Sequence, residues 1–133
     1  LLALAGSAEK LSHQILALRG YLQYVRGNKK LSNEQKAAKV KDLQFHIKRP
    51  EEKRLAIAAL ADAPSAEGLD MLRDLAKEEA VAEEAYSGIA KIAGRHIQGV
   101  SKEDRREALQ MVIENSKNGR TKQTAQKALG AMK

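Results

Sequence analysis

Histidines are the residues of this chain best suited to hold a metal ion, because its 133 residues include no cysteine. A helical metal site commonly carries two histidines four residues apart, a spacing that places both imidazole rings on one face. His13, His46 and His96 lie in three separate segments, and no two of them have that spacing. The sequence therefore predicts no metal site, and solvated or partly packed histidines are the simpler interpretation.

Paired carboxylates could act as general acid and base if one of them lay in an apolar pocket that raised its pKa. The chain has three such pairs, Glu51-Glu52, Glu78-Glu79 and Glu83-Glu84. All three lie at or near predicted helix starts among polar neighbours, where the positive end of the helix dipole accounts for them. There is no glycine-rich phosphate loop. The sequence therefore predicts no catalytic residue and no cofactor.

Basic residues are the remaining candidates, and they are unevenly distributed. Residues 1–50 contain ten Lys/Arg and three Asp/Glu, and residues 101–133 contain eight and four. The middle of the chain, residues 51–100, has the opposite balance, with six Lys/Arg and ten Asp/Glu. A surface that follows nucleic-acid phosphates should not reverse its sign halfway, and Phe45 is the only phenylalanine available for base stacking. Binding of the DNA backbone is therefore an alternative to a protein partner, and solvated charged faces are the simplest interpretation.

The composition is typical of a helical protein that forms one domain over residues 1–133. Strong helix formers dominate, while two prolines and nine glycines leave little room for the turns of an all-β fold. No apolar run approaches the ~20 residues of a membrane span. The opening residues "LLALAG" are typical of the tail of a helix, which favours a segment of a longer protein.

Capping residues and breakers predict seven helices, preceded by a short stub at the N-terminus. Pro50 suits a first helical turn, and the helix before it is predicted to run from Asn33 to Lys48. Gly27-Asn28 and Asn118-Gly119 are predicted to end helices. Four serines precede helices and can cap them: Ser7, Ser32, Ser65 and Ser101. Short connections predict that consecutive helices lie antiparallel.

Four of these helices carry a small-residue string, Ala-x-x-(Gly/Ala)-large apolar, and one helix without it separates each from the next. Residues three apart share a helix face, so two small side chains there allow a neighbouring helix to approach closely. This role would offset the cost of about 1 kcal/mol that a glycine brings inside a helix. Chance recurrence in an alanine-rich chain is the alternative, but the alternation favours a repeated helix pair. The copies are Ala17-Gly20-Tyr21, Ala56-Ala59-Leu60, Ala85-Gly88-Ile89 and Ala125-Ala128-Leu129.

A helix pair repeated every ~30–45 residues is typical of an α-solenoid, and the chain resembles HEAT-type repeats. Residues 49–93 are closest to the family pattern, with a proline near a helix end, a short turn, and Leu69, Leu72 and Leu75 facing inward. The connection over residues 92–101 is longer than is usual in the family. The resemblance implies an all-α, HEAT/armadillo-like superhelix of about three and a half helix pairs.

The stretch from His13 to Val25 further resembles HEAT-like modules of large bacterial multidomain proteins. Some of those proteins carry a module similar to sugar hydrolases of the 3-keto-disaccharide type, and many are exported to the periplasm or beyond. The resemblance thus implies a non-enzymatic scaffold or interaction module with a protein or peptide partner. The alternatives are a basic solenoid on the DNA backbone and an accessory domain of an exported hydrolase.

In such solenoids the second helices of the pairs commonly line the concave face. Charged residues of these helices are therefore predicted to form an interaction face. They are Lys36, Lys39, Asp70, Arg73, Lys77, Arg105 and Arg106. Apolar end faces are also predicted, with Leu1, Leu2 and Leu4 at one end and Leu129 and Met132 at the other, and weak self-association would follow.

Overall fold

The structure of the protein, a computed structural model, describes residues 11–132. Those residues form seven α-helices and a single 3₁₀ turn over Glu79–Val81, with no strand among them. The helices are α1 Leu11–Gly27, α2 Asn33–Leu43, α3 Pro50–Asp62, α4 Ala66–Leu75, α5 Ala82–Ala93, α6 Lys102–Asn115 and α7 Gly119–Ala131. The prediction of an all-α chain with seven helices is confirmed for this part, while the N-terminal stub and Ser7 lie outside the described residues.

Local capping chemistry sets most of the helix starts. The Ser32 hydroxyl accepts from the Gln35 backbone N–H at 3.1 Å, and the Gln35 side chain accepts from the Ser32 N–H at 2.8 Å, which completes the predicted capping box. The Ser65 and Ser101 hydroxyls each accept from a backbone N–H three residues on. Pro50 is the first residue of α3, as predicted.

Two predicted helix ends are wrong. The helix predicted to reach Lys48 ends at Leu43, because hydrogen bonds between residues three apart tighten the chain into a turn that carries Ile47 back into the core. Asn118-Gly119 begins α7 instead of ending α6. The Asn118 carboxamide accepts from the Thr121 N–H at 3.1 Å, since a short polar side chain can cap a helix start as well as follow a helix end.

Helices that carry the small-residue string pack against one another in chain order. α1 contacts α3, α3 contacts α5, and α5 contacts α7. Each helix also contacts the next one in the chain, and α2 contacts α4. Buried apolar residues from all seven helices join one core.

The first alanine of the string is buried in all four copies, but the second small residue differs between them. At Gly88 an added Cβ would lie 3.4 Å from both Leu72 methyl groups and 3.5 Å from Ala61 Cβ, which confirms the predicted close approach. Gly20 is exposed, and no atom of the described residues lies within 4 Å of the position of a Cβ there. Among the described residues, none makes the predicted close approach at Gly20.

The C-terminal end face is less open than predicted. Met132 is only 9% exposed and Leu129 is half-buried against the core. Gly94, which follows α5, allows Ala128 of α7 to approach, since a Cβ on that glycine would lie 2.9 Å from the alanine Cβ. Leu1, Leu2 and Leu4, the other predicted end face, lie outside the described residues.

Candidate functional site

A cleft of about 280 Å³ opens between the C-terminal end of α2, the first turns of α3 and the C-terminal half of α4. Its apolar lining comes from side chains on both sides of the opening: Val40, Phe45, Ile47, Met71 and Leu75. The inward prediction for Leu69 and Leu72 is confirmed, since both are buried, whereas Leu75 is half-buried and lines this cleft. The cleft therefore offers accessible apolar surface, and apolar grooves of this kind can bind segments of other proteins.

Phe45 is the most exposed large apolar residue of the cleft, with 80% of its surface accessible. It lies in the turn after α2, where the His46 N–H donates to the Leu43 carbonyl at 2.8 Å and the Ile47 N–H donates to the Gln44 carbonyl at 3.3 Å. Burying a phenylalanine side chain contributes about 1.5–3 kcal/mol. The fold leaves most of this free energy unused at Phe45, so a partner that covers the ring could gain it.

Charged groups at the edge of the cleft oppose the sign of the whole molecule. Lys53 of α3 forms an ion pair with Glu78, which follows α4, across one end of the cleft. Asp74 is exposed, and its nearest cation is Lys77 at 3.7 Å. The lining thus holds two carboxylates and one ammonium group, in a chain whose net charge is +7.

A second depression, the trough, has a volume of about 320 Å³ and lies between α3 and α5, with Arg26 of α1 at its edge. Small residues, among them Ala61 and Gly88, line its floor. Asp62 pairs with Arg26 on one side and with Lys91 Nζ at 3.0 Å on the other. Arg54 Nε lies 2.6 Å from a Glu84 oxygen. These pairs join α1, α3 and α5 across the trough.

Two carboxylates bound by neighbouring helices and loops have lowered pKa values. Burial alone would raise the pKa of Asp62, but hydrogen bonds from Arg26 and Lys91 outweigh it and lower the pKa. Burial would also raise the pKa of Glu83. Hydrogen bonds from the Lys117 N–H at 2.8 Å and the Ser116 hydroxyl at 2.7 Å outweigh this effect, so the pKa of Glu83 is lowered as well. Both groups therefore serve as fixed anions that join segments of the fold.

Helix dipoles do not fully account for the glutamate pairs that the sequence analysis assigned to helix starts. Glu52 is only 1% exposed and lies between Arg19 Nε at 2.9 Å and Arg49 Nε at 3.0 Å, so it joins α1 to α3. Glu83 joins α5 to the loop before α7. The sequence gives no signal for either role, because Arg19 and Ser116 are each 33 residues away along the chain.

Three residues of the predicted interaction face bind backbone carbonyls at helix ends. Lys36 Nζ donates to the Arg26 carbonyl at 3.0 Å, near the end of α1. Arg105 Nε donates to the Ala93 carbonyl at 2.9 Å, at the end of α5. Arg106 donates to the carbonyl of Met132, just after α7, at 3.2 Å. Cations at helix C-termini offset the negative end of the dipole, so these side chains contribute to the fold.

The other residues of that predicted face differ in exposure. Asp70 and Lys77 are exposed, while Lys39 and Arg73 are half-buried. None of the seven residues lines the cleft beside Phe45. The cleft is therefore not predicted by any pattern in the sequence. The one available signal was the single phenylalanine, Phe45, whose only predicted use was as a platform for nucleic-acid bases.

Within residues 11–132 there is no group of three or more His, Cys, Asp or Glu side chains that could hold a metal ion. His13 and His96 are exposed and His46 is half-buried. No helix in the same part of the chain is both long and apolar enough to cross a membrane. Comparisons with protein-family models, with curated proteins and with solved structures found no match.

Proposed function

We propose that this protein is a HEAT-like α-solenoid segment that binds a protein or peptide partner and catalyses no reaction. The solenoid part of the proposal is supported by the order of helix contacts. α1, α3, α5 and α7 pack in sequence, and the intervening helices α2 and α4 also contact each other. A stack of repeated helix pairs places one helix of every pair in such a row, and the contact between α2 and α4 begins a second row.

The observation that carries the binding function is the position of Phe45 on the cleft. A ring that is 80% exposed lies beside half-buried Met71 and Leu75, so a partner could cover all three with one apolar side chain or a short apolar segment. Aromatic residues and methionine are enriched in protein interfaces. Met71 and Leu75 lie on a helix, α4, which keeps these two side chains in place and so reduces the entropy lost on binding.

A displayed peptide library, selected separately on the wild-type chain and on Phe45→Ser, tests this function. Peptides enriched by the wild type should bind Phe45→Ser at least about tenfold more weakly, because the ring supplies much of the apolar contact. Leu16→Ser is the matched control, since Leu16 is 65% exposed and lies on α1, outside the cleft. Equal enrichment on wild type and Phe45→Ser would contradict the proposal.

DNA-backbone binding is the second candidate, and the charge of α7 is the observation that favours it. Residues 116–132 contain four Lys/Arg and no Asp or Glu, and Arg120, Lys122 and Lys127 take part in none of the ion pairs found in residues 11–132. Fluorescence anisotropy with duplex DNA should then show affinity that falls steeply with salt. No binding at low salt would exclude this candidate.

A further inference from the structure

The patch around Phe45 contains both a protruding apolar group and a recess that could receive one. The Phe45 ring is 80% exposed and lies in the turn after α2, at the edge of the cleft of about 280 Å³. Met71 and Leu75 line the α4 side of that cleft and are half-buried. The ring therefore lies at the rim of its own cleft without filling it, and a single molecule leaves all three side chains accessible.

Charged groups of both signs border the same patch. Lys48 lies three residues after Phe45, is exposed, and takes part in none of the ion pairs found in residues 11–132. Asp74 lines the α4 side of the cleft. Its nearest cation, Lys77, is 3.7 Å away, and both side chains are 79% exposed. This carboxylate is therefore open to a second cation, and the turn after α2 carries an ammonium group that has no acidic partner within the described chain.

A patch with these properties is complementary to itself. In a two-fold symmetric pair, every contact of one residue with a second is repeated with the two copies exchanged, so one patch must supply both halves of each contact. A rotation of 180° about an axis through the patch would place the turn after α2 of each copy over the cleft of the other. An unrelated peptide would have to bring its own apolar group and its own cation, whereas a second copy already presents Phe45 and Lys48 side by side.

We propose that the patch formed by Phe45, Lys48, Met71, Asp74 and Leu75 joins two copies of this chain in a two-fold symmetric dimer. The proposal rests on the binding function proposed above for the cleft, and it names a second copy as the occupant. Each Phe45 ring is buried against Met71 and Leu75 of the other copy, and two ion pairs between Lys48 and Asp74 flank the rings. Because the patch is small, the dimer is weak and transient.

Analytical ultracentrifugation of the 133-residue chain, loaded at concentrations up to about 1 mM, measures this association. A salt concentration of about 0.15 M screens the repulsion between two net charges of +7 beyond about 8 Å. Wild type should form dimers in a concentration-dependent way, and Phe45→Ser should raise the dissociation constant at least about tenfold. Leu16→Ser is the matched control and should dimerise like wild type, because Leu16 is 65% exposed on α1 and does not line the cleft.

Exchange of the two charges separates a direct contact from the effect of net charge. Lys48→Asp alone and Asp74→Lys alone should each weaken the dimer about threefold or more, because each brings like charges together across the interface. Lys48→Asp also lowers the net charge from +7 to +5, so net charge alone would strengthen the association of this variant. The variant with both changes restores opposite charges and should dimerise like wild type.

The dimer and the peptide-binding function can fail separately. The dimer is overturned if wild type stays monomeric at about 1 mM, if Phe45→Ser dimerises as well as wild type, or if Lys48→Asp strengthens the association. Peptides that bind a monomeric chain through Phe45 would leave the cleft function standing and exclude the second copy. A dimer that depends on Phe45, with no peptide enriched, would support the second copy and exclude a peptide partner. Where both are found, the peptides should dissociate the dimer, and a dimer that they leave intact overturns the proposal.

Discussion

The cleft beside Phe45 and the trough between α3 and α5 are similar in size, about 280 and 320 Å³, and α3 contributes side chains to both. Their linings differ. The cleft is bordered by large apolar side chains, one of which is almost fully exposed. The trough has a floor of small residues, and its charged groups pair with one another across three helices.

This difference indicates which depression is available for a partner. A ligand in the trough would have to compete with existing ion pairs, in which Asp62 binds Arg26 and Lys91 and Arg54 binds Glu84. A ligand in the cleft would cover apolar surface that the fold leaves in water, and burial of such surface contributes about 25 cal/mol per Å². The ion pairs of the trough therefore serve to join helices of the fold, and the cleft is the depression with apolar surface left for the proposed partner.

Among the changes that compare the two depressions, the largest expected effect on stability comes from one at the floor of the trough. Gly88→Leu should lower the free energy of unfolding by about 1–3 kcal/mol, because its Cβ alone would contact Leu72 and Ala61 and the remaining carbons would overpack the α3–α5 contact. Gly88→Ala should be tolerated, since contacts at 3.4–3.5 Å are ordinary. Urea denaturation at neutral pH measures both variants.

Gly20→Leu is the control for that measurement. Its side chain would extend into space free of described atoms, and leucine is a better helix former than glycine by about 1 kcal/mol, so this variant should be at least as stable as wild type. If Gly88→Leu were as stable as Gly20→Leu, the trough would have room for a side chain. The trough would then be no more closed by the fold than the cleft is.

A smaller effect is expected from the ion pairs over the trough. The pKa of Asp62 is lowered in the folded chain, so its charge stabilises the fold above about pH 4, and this contribution is lost as pH falls through the lowered pKa. Surface ion pairs contribute about 0.2–1 kcal/mol each. Asp62→Asn should therefore lower the unfolding free energy by about 1 kcal/mol at neutral pH.

Urea denaturation of wild type and Asp62→Asn at neutral and at acidic pH tests this sign. The two proteins should differ at neutral pH, and the difference should shrink as the pH falls through the lowered pKa and the wild-type carboxyl takes up a proton. Asp70→Asn is the control, because Asp70 is exposed and forms none of the ion pairs found in the described residues. A difference that persisted unchanged in acid would mean that Asp62 acts through packing and not through charge.

Features of the fold that depend on neighbouring residues could be predicted from the sequence. Ser32, Ser65 and Ser101 cap the helices they precede, because capping needs only a hydroxyl and a backbone N–H within the next three residues. The alternation of the small-residue string likewise predicted that α3 packs against α5. Each of these patterns is compatible with only one simple arrangement of a helix end or of two packed helices.

Features that depend on the packing of distant segments could not be predicted. Asp62 finds Arg26 and Lys91, which are 36 and 29 residues away, only after three helices have packed. The cleft arises because α2 stops at Leu43, whereas the helical propensity of the following residues favoured a longer helix. The short turn that buries Ile47 also exposes Phe45. No sequence pattern within α2 specifies which of these two side chains is buried.

The smallest expected effect on stability belongs to the residue that carries the proposed function. Phe45→Ser should change the unfolding free energy by no more than about 0.5 kcal/mol, because a ring that is 80% exposed contributes little burial. Thermal and urea denaturation measure this, with Leu72→Ala as the contrasting variant, since Leu72 is fully buried and its truncation should cost about 2–5 kcal/mol. If Phe45→Ser lowered the unfolding free energy nearly as much as Leu72→Ala does, the Phe45 ring would have to pack within the fold. The cleft, like the trough, would then be a structural contact.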